Sequence, residues 1–242
     1  MKRVFFILLT AATIIGMASC KKNTNPTKPT STDASEEPEA ALVEIDGNFS
    51  EWATLKDVVT ASVSEDEEAY PYLLTMKAVA DKTYIYFYFE YLIAEDQTKA
   101  PINILIDADN DPTTGFTSFL FKECGWEYSF ESSDGFLNGS KFKGMNTSMN
   151  LVKCEGPDGA DRWATNSKTK NLSGGCKSKG EVSNGIVTFE LSVKREKMDL
   201  DKPCTIAVGA YTTNVVDENW NENGVLPRED AVADVFMEVK LP

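Results

Sequence analysis

From Leu42 onward, apolar and polar residues alternate with a period of two in run after run, and no long stretch repeats with a helical period. In KTYIYFYFEYLI, Ile85, Phe87, Phe89 and Tyr91 face one way while Tyr84, Tyr86, Tyr88 and Glu90 face the other. Ile102, Ile104 and Ile106 continue the alternation. Trp126, Tyr128 and Phe130 alternate with Glu127, Ser129 and Glu131, and Val187, Phe189, Leu191 and Val193 with Thr188, Glu190 and Ser192. Ile206, Val208 and Ala210 share one face, and Val235, Met237, Val239 and Leu241 form the last run. Asp46-Gly47, Asp134-Gly135, Asn138-Gly139, Asp158-Gly159 and Asn184-Gly185 place turn signals between the runs. The pattern predicts an all-β fold: a two-sheet antiparallel β-sandwich, jelly-roll-like, with long loops and one or two short helices. Glu51–Val59 and Lys194–Leu200 are the stretches that invite those helices. Residues 135–185 are rich in Gly, Ser, Asn and Lys and read as hairpins and long loops on one side of the same sandwich.

The start of the chain has a different pattern. Lys2 and Arg3 precede an apolar run from Val4 to Ile15, which is too short to span a bilayer comfortably. Gly16-Met17-Ala18-Ser19-Cys20 follows and resembles a bacterial lipobox. That resemblance implies removal of residues 1–19 and lipidation of Cys20, which would anchor the chain to a membrane without spanning it. The alternative is an ordinary signal peptide with a chance cysteine. Residues 20–41 are dominated by Pro, Thr, Ser, Lys and Glu, cannot bury enough surface to offset their ordering entropy, and read as a tether. If extended, the tether reaches on the order of 60 Å. The predicted organisation is a signal peptide over 1–19, a disordered tether over 20–41 and a single sandwich domain over 42–242. The expected location is the outer membrane, on its periplasmic or cell-surface side.

Composition narrows the chemistry. The chain carries 38 acidic and 24 basic residues, a formal charge of -14, which disfavours nucleic acid as a partner. There is no histidine, so Ser-His-Asp and Cys-His catalysis and histidine-ligated zinc or haem are excluded. No nucleophile elbow, P-loop or dinucleotide fingerprint is present. A pair of carboxylates across a cleft would serve a glycosidase, but 38 acids supply such pairs by chance, so the chain is read as non-catalytic.

Asp107, Asp109 and Asp111 alternate in DADNDPTTG at a strand end. Two readings fit: their oxygens converge on a hard cation such as Ca²⁺, or they bond backbone amides in a polar turn. The loop is not an EF-hand, because Pro112 and Ser118 stand where that motif needs Gly and Glu. Besides Cys20 there are Cys124, Cys154, Cys176 and Cys204. Export permits disulfides, and Cys154 with Cys176 would close the loop-rich stretch for about 3 kcal/mol in the chain-entropy model. Cys124 with Cys204 is a further pairing, and four reduced thiols are the alternative. Without a C-x₂-C pair, zinc is not expected.

Four stretches resemble the family 9 carbohydrate-binding-module-like (DOMON-like) β-sandwich: IDGNFSEW around Asp46, Gly47 and Trp52; AVADKTYIYFYFEY; ILIDADNDPTTGF; and NGIVTFELSVKREKM. The resemblance covers residues 42–242 and implies Trp52 as a core cap. It also implies a carbohydrate ligand, held in the family by paired tryptophans. Trp163 and Trp220 sit among polar loop residues, the latter beside Glu218, Asn219 and Asn221. They either stack on a sugar or fold back onto the sandwich edge. The tyrosine face of Tyr84, Tyr86 and Tyr88 is a flat platform or, preferably, half-buried beneath a neighbouring loop with hydroxyls in water. The expected function is a membrane-anchored, non-catalytic carbohydrate-binding lipoprotein. The alternative is a protein-interaction or structural surface lipoprotein with a protein partner.

Overall fold

The computed structural model describes residues 40–63, 73–93, 102–117, 121–132, 137–138, 141–142, 149–161, 168–172, 176–214, 221–227 and 233–242. Its main strands are β1 (Val59–Ser62), β2 (Leu73–Ala80), β3 (Tyr84–Leu92), β4 (Ile102–Asp107), β5 (Tyr128–Ser132), β6 (Met149–Cys154), β7 (Thr169–Leu172), β8 (Cys176–Ser183), β9 (Ile186–Lys194), β10 (Cys204–Asn214), β11 (Asn221–Leu226) and β12 (Met237–Leu241). The first sheet runs β1-β2-β3-β9-β8 and the second β7-β6-β5-β4-β10-β11, with β12 also pairing with β10. Every pairing within these two sheets is antiparallel. The fold is the all-β sandwich that the period-two pattern predicts.

The inward positions of both sheets meet in one core. Ile85, Phe87, Phe89, Tyr91, Val187, Phe189, Leu191 and Val193 pack against Ile104, Ile106, Tyr128, Phe130, Ile206, Val208 and Ala210. Phe89 and Phe189, directly opposite across β3 and β9, stack with centroids 5.0 Å apart. Asn184-Gly185 joins β8 to β9 with φ of 51° and 79°, the left-handed pair that a two-residue hairpin turn demands. The two expected helices are 3₁₀ turns, Phe49–Ala53 and Arg195–Met198.

Part of the first sheet's outer face is covered by the segment before β1. Val43 and Trp52 form a second buried cluster with Val79, Tyr86 and Tyr88. The tyrosine face is therefore buried more deeply than the sequence suggests. The Tyr86 hydroxyl donates to Asp81 Oδ2 at 2.5 Å and the Tyr88 hydroxyl to Glu90 Oε1 at 2.6 Å, so neither depends on water. Burial first, then the hydrogen bonds to these carboxylates, push both phenols well above the usual tyrosine range.

Buried Glu190 ties this cover down. Its Oε1 accepts from the amides of Asp46 and Gly47 at 2.9 and 2.8 Å, and its Oε2 from Trp52 Nε1 at 3.1 Å. The Asp-Gly turn and the tryptophan of IDGNFSEW thus close on one carboxylate far along the chain. Arg195, also buried, spans the sandwich end. It donates to the carbonyls of Leu200, Asp81, Pro242 and Lys202 at 2.7–2.9 Å.

The stretch 135–185 is more regular than its composition suggests. It supplies β6 and β7 to one side of the second sheet and β8 to the edge of the first. β7 and β8, which carry little apolar alternation, are the edge strands of their sheets.

No disulfide joins Cys154 to Cys176, which corrects that expected pairing. All four described cysteines are thiols. Cys154 packs against the outer cluster of the second sheet, and Cys176 against the core between the sheets. The two therefore belong to different layers, a separation the loop length between them does not reveal. Burial pushes the Cys176 thiol up to about 12.

Candidate functional site

The second sheet presents two features with chemical content. The first lies at the end of β4. Asp107, Asp109 and Glu127 each bring a carboxylate oxygen within 4.8 Å of the others. Asp107 is the last residue of β4 and buried. Glu127 is placed there by its amide, which donates to the carbonyl of Ile106 at 3.1 Å. The turn then folds back over the acids. The Asp111 amide donates to Asp107 Oδ1 and Asp109 Oδ1, both at 3.1 Å, and the Ala108 amide to Glu127 Oε2 at 2.7 Å. The Thr114 hydroxyl lies 3.0 Å from Asp109 Oδ1 and 3.2 Å from Glu127 Oε1.

Asp111 stands apart from this group. Its Oδ1 accepts from the amide and hydroxyl of Thr113 at 3.0 and 2.6 Å, the polar-turn role, and these bonds hold it below the usual carboxylate range. Asp107 is pushed up to about 7, by burial first and then by the charge of Glu127. Burial also raises Glu127. Gly115 closes the turn at φ +64°, and a Cβ there would fall against Glu127 Oε1 and the carbonyl of Trp126. Glycine is required on both counts.

The second feature is the outer face of this sheet. Part of it lies beneath an aromatic cap of Phe116, Phe121, Trp126 and Phe236, packed on Leu105 and Ala207. Phe116 meets Trp126 edge-on at 5.5 Å, and Phe121 meets Phe236 at 4.6 Å. Trp126 therefore leaves the alternation that its sequence neighbours Tyr128 and Phe130 keep, and joins the cap instead of the core. Short parallel pairings hold the cap segments together, Ala160–Asp161 with Phe116–Thr117 and Ala233–Val235 with Phe121–Glu123.

Beyond the cap, one polar row crosses the sheet. Tyr211 of β10 pairs with Asn103 of β4, Asn103 with Glu131 of β5, and Glu131 with Asn150 of β6. Asn171 of β7 joins the row by donating from Nδ2 to Asn150 Oδ1 at 2.9 Å. The Ser129 hydroxyl donates to Glu131 Oε1 at 3.1 Å. Asn150 and Asn171 are exposed; Asn103, Glu131 and Tyr211 are partly so.

Most of the residues expected to bind sugar are not among the described ones. Trp163, Glu218, Asn219 and Trp220 lie outside the described residues, as does Cys20. Asn221 opens β11 opposite Asn214. Three of the four described flanks of the two tryptophan segments belong to the second sheet, and the fourth, Asp161, belongs to the short cap pairing. Residues 162–167 connect the cap pairing at Asp161 to β7, and residues 215–220 connect β10 to β11. The β10–β11 connection leaves from the sheet end nearer the polar row, because Tyr211 lies three residues from Asn214. Residue 168 rejoins at the other end, where the Glu155 amide donates to its carbonyl at 2.7 Å.

Glu127 and the polar row are not legible as sites in the sequence. Glu127 reads as an outward position of an alternating strand. The available signal for the row is three asparagines, Asn103, Asn150 and Asn171, in or beside apolar strand runs.

Comparison with known proteins adds a likeness to solved structures. No protein-family profile matches the chain, and no curated protein matches it. Among solved structures, it is similar to a family 9 carbohydrate-binding module from Caldicellulosiruptor kristjanssonii in complex with glucose. The identity is 11% and the TM-score 0.40, over 83% of this chain and 91% of that one.

Proposed function

We propose that this protein is a non-catalytic carbohydrate-binding lipoprotein, anchored through Cys20 after loss of residues 1–19 and held off the outer membrane by the tether of residues 20–41. The observation that carries the reading is the asymmetry of the two sheets. The first has the aromatic part of its outer face, Tyr86 and Tyr88, covered by the chain's own Val43–Trp52 segment. The second keeps a polar, partly exposed row, and both tryptophan-bearing segments are its own connections. Amide, carboxylate and phenol groups of the row suit the hydroxyl edge of a pyranose, and an indole suits its apolar face.

A glycan array of plant, host and microbial polysaccharides, probed with the protein, tests the reading. The expected result is retention on a defined class, lost in Trp220→Ala and weakened in Trp163→Ala. A blank array together with a copurifying protein overturns it in favour of a protein-interaction lipoprotein. Metabolic labelling with palmitate tests the anchor: label is expected on the wild type and absent from Cys20→Ala.

We further propose calcium at Asp107, Asp109 and Glu127. The donors are all hard carboxylate oxygens, and a cation would offset the burial and the Glu127 charge that raise Asp107. Titration calorimetry on chelator-treated protein is expected to show heat, which Asp109→Asn diminishes. No heat and no shift in melting temperature would retire the metal.

A further inference from the structure

We propose that the row Tyr211–Asn103–Glu131–Asn150–Asn171 is a binding floor for an extended, uncharged polyhydroxylated chain lying across the strands of the second sheet. This rests on the carbohydrate-binding reading and names a surface for it that does not depend on the loop tryptophans.

Residue type is the first argument. Asparagine is depleted in strands, where β-branched, aromatic and long side chains fit the pleat better. The first sheet follows that rule on its outer face, which carries Thr75, Lys77, Lys177, Lys179, Glu181 and Thr188. The second sheet's row instead sets Asn103 and Asn150 in register on either side of Glu131, and Asn171, opposite Val152 on the next strand, reaches Asn150 by a side-chain hydrogen bond. Stability alone selects threonine or lysine there. A local rule broken repeatedly along one line marks a surface shaped for something other than stability.

Chemistry is the second argument. Carboxamides donate and accept at once, a carboxylate accepts on two oxygens, and a phenol adds an aromatic face with a hydroxyl. That mixture suits neighbouring sugar hydroxyls, each both donor and acceptor. The row holds no lysine or arginine, and Glu131 repels anions, so sulfated and uronic-acid chains are disfavoured in a protein already at -14.

Geometry is the third. Strands lie about 4.8 Å apart, so a row over five of them spans roughly 19 Å, room for several linked rings. Tyr211 and Val225 pack against the aromatic cap, which supplies an apolar wall at one end. Asn171 lies on the terminal strand of the sheet and is exposed. A chain can therefore run past that edge, so the floor accepts an internal segment and does not require a chain end. The Asn171–Asn150 and Ser129–Glu131 hydrogen bonds hold these groups in fixed orientation before a ligand arrives.

The test uses Asn103→Thr, Asn150→Thr and Glu131→Gln, with Lys179→Ala on the first sheet as control. The probes are the polysaccharides retained by the wild type on the array. Threonine is the better strand former, so both threonine variants are expected to melt at or above the wild-type temperature. Each is expected to bind about fivefold more weakly per lost hydrogen bond, and the double variant about twentyfold. Lys179→Ala is expected to bind as wild type. Wild-type binding in the row variants, with loss in Trp220→Ala, overturns the floor and leaves the carbohydrate reading standing. A wild type that binds no glycan overturns both.

Discussion

Replacing Glu190 by glutamine preserves side-chain size but removes the charge and one of two acceptor oxygens. In the wild type both oxygens are used: Oε1 by the amides of Asp46 and Gly47, Oε2 by the Trp52 indole. The glutamine carbonyl can keep the two amides. Its NH₂ group then faces the indole N–H, donor against donor, in a site where Trp52 is 3% exposed. One buried donor left unsatisfied costs about 1–3 kcal/mol, and the loss of charge assistance on the other two bonds adds about 1 kcal/mol. Relief from burying the charge offsets part of this, leaving a net destabilisation of about 2–3 kcal/mol. For a domain of this size that lowers the melting temperature by roughly 4–10 °C. Urea unfolding followed by far-UV circular dichroism measures the change without relying on the tryptophan signal. Trp52→Phe removes the stranded donor. The double variant Glu190→Gln/Trp52→Phe is therefore expected to be more stable than the sum of the single effects by about 1 kcal/mol or more. Additive single effects, or a Glu190→Gln midpoint equal to wild type, would refute the claim that this carboxylate fastens the covering segment.

Three further outcomes are expected. Arg195→Lys should cost about 2–3 kcal/mol in the same unfolding assay, because an ammonium cannot reach the four carbonyls that the planar guanidinium spans. Without calcium, stability should fall as pH rises from about 4 through 7 because of Asp107. Its folded-state pKa of about 7 lies above the ordinary value, so the folded protein holds the extra proton in that window. Asp107→Asn should flatten that slope in melting scans; a slope unchanged by the substitution counts against the assignment. Gly115→Ala should destabilise the turn and abolish any calcium-induced rise in melting temperature, since its φ is +64° and its Cβ would meet Glu127.

The alternation of period two determined which residues of β3, β4, β9 and β10 face the core, because a strand's side chains can only take turns between two faces. The hairpin at Asn184-Gly185 was equally local, since it needs only two residues able to adopt positive φ. The aspartate turn was visible as a set of carboxylates, yet sequence spacing suggested Asp111 as the third partner. Antiparallel packing brings Glu127 there instead, along a contact between residues twenty positions apart. The depth of Tyr86 and Tyr88, the separation of Cys154 from Cys176, and the alignment of three distant asparagines in one row were decided in the same way. Local sequence determines which face a side chain takes, because that follows from the chain's own dihedral geometry. Which strands become neighbours, in what register and beneath which cover, is set by burial summed over the whole chain, so those features exist only in the folded structure.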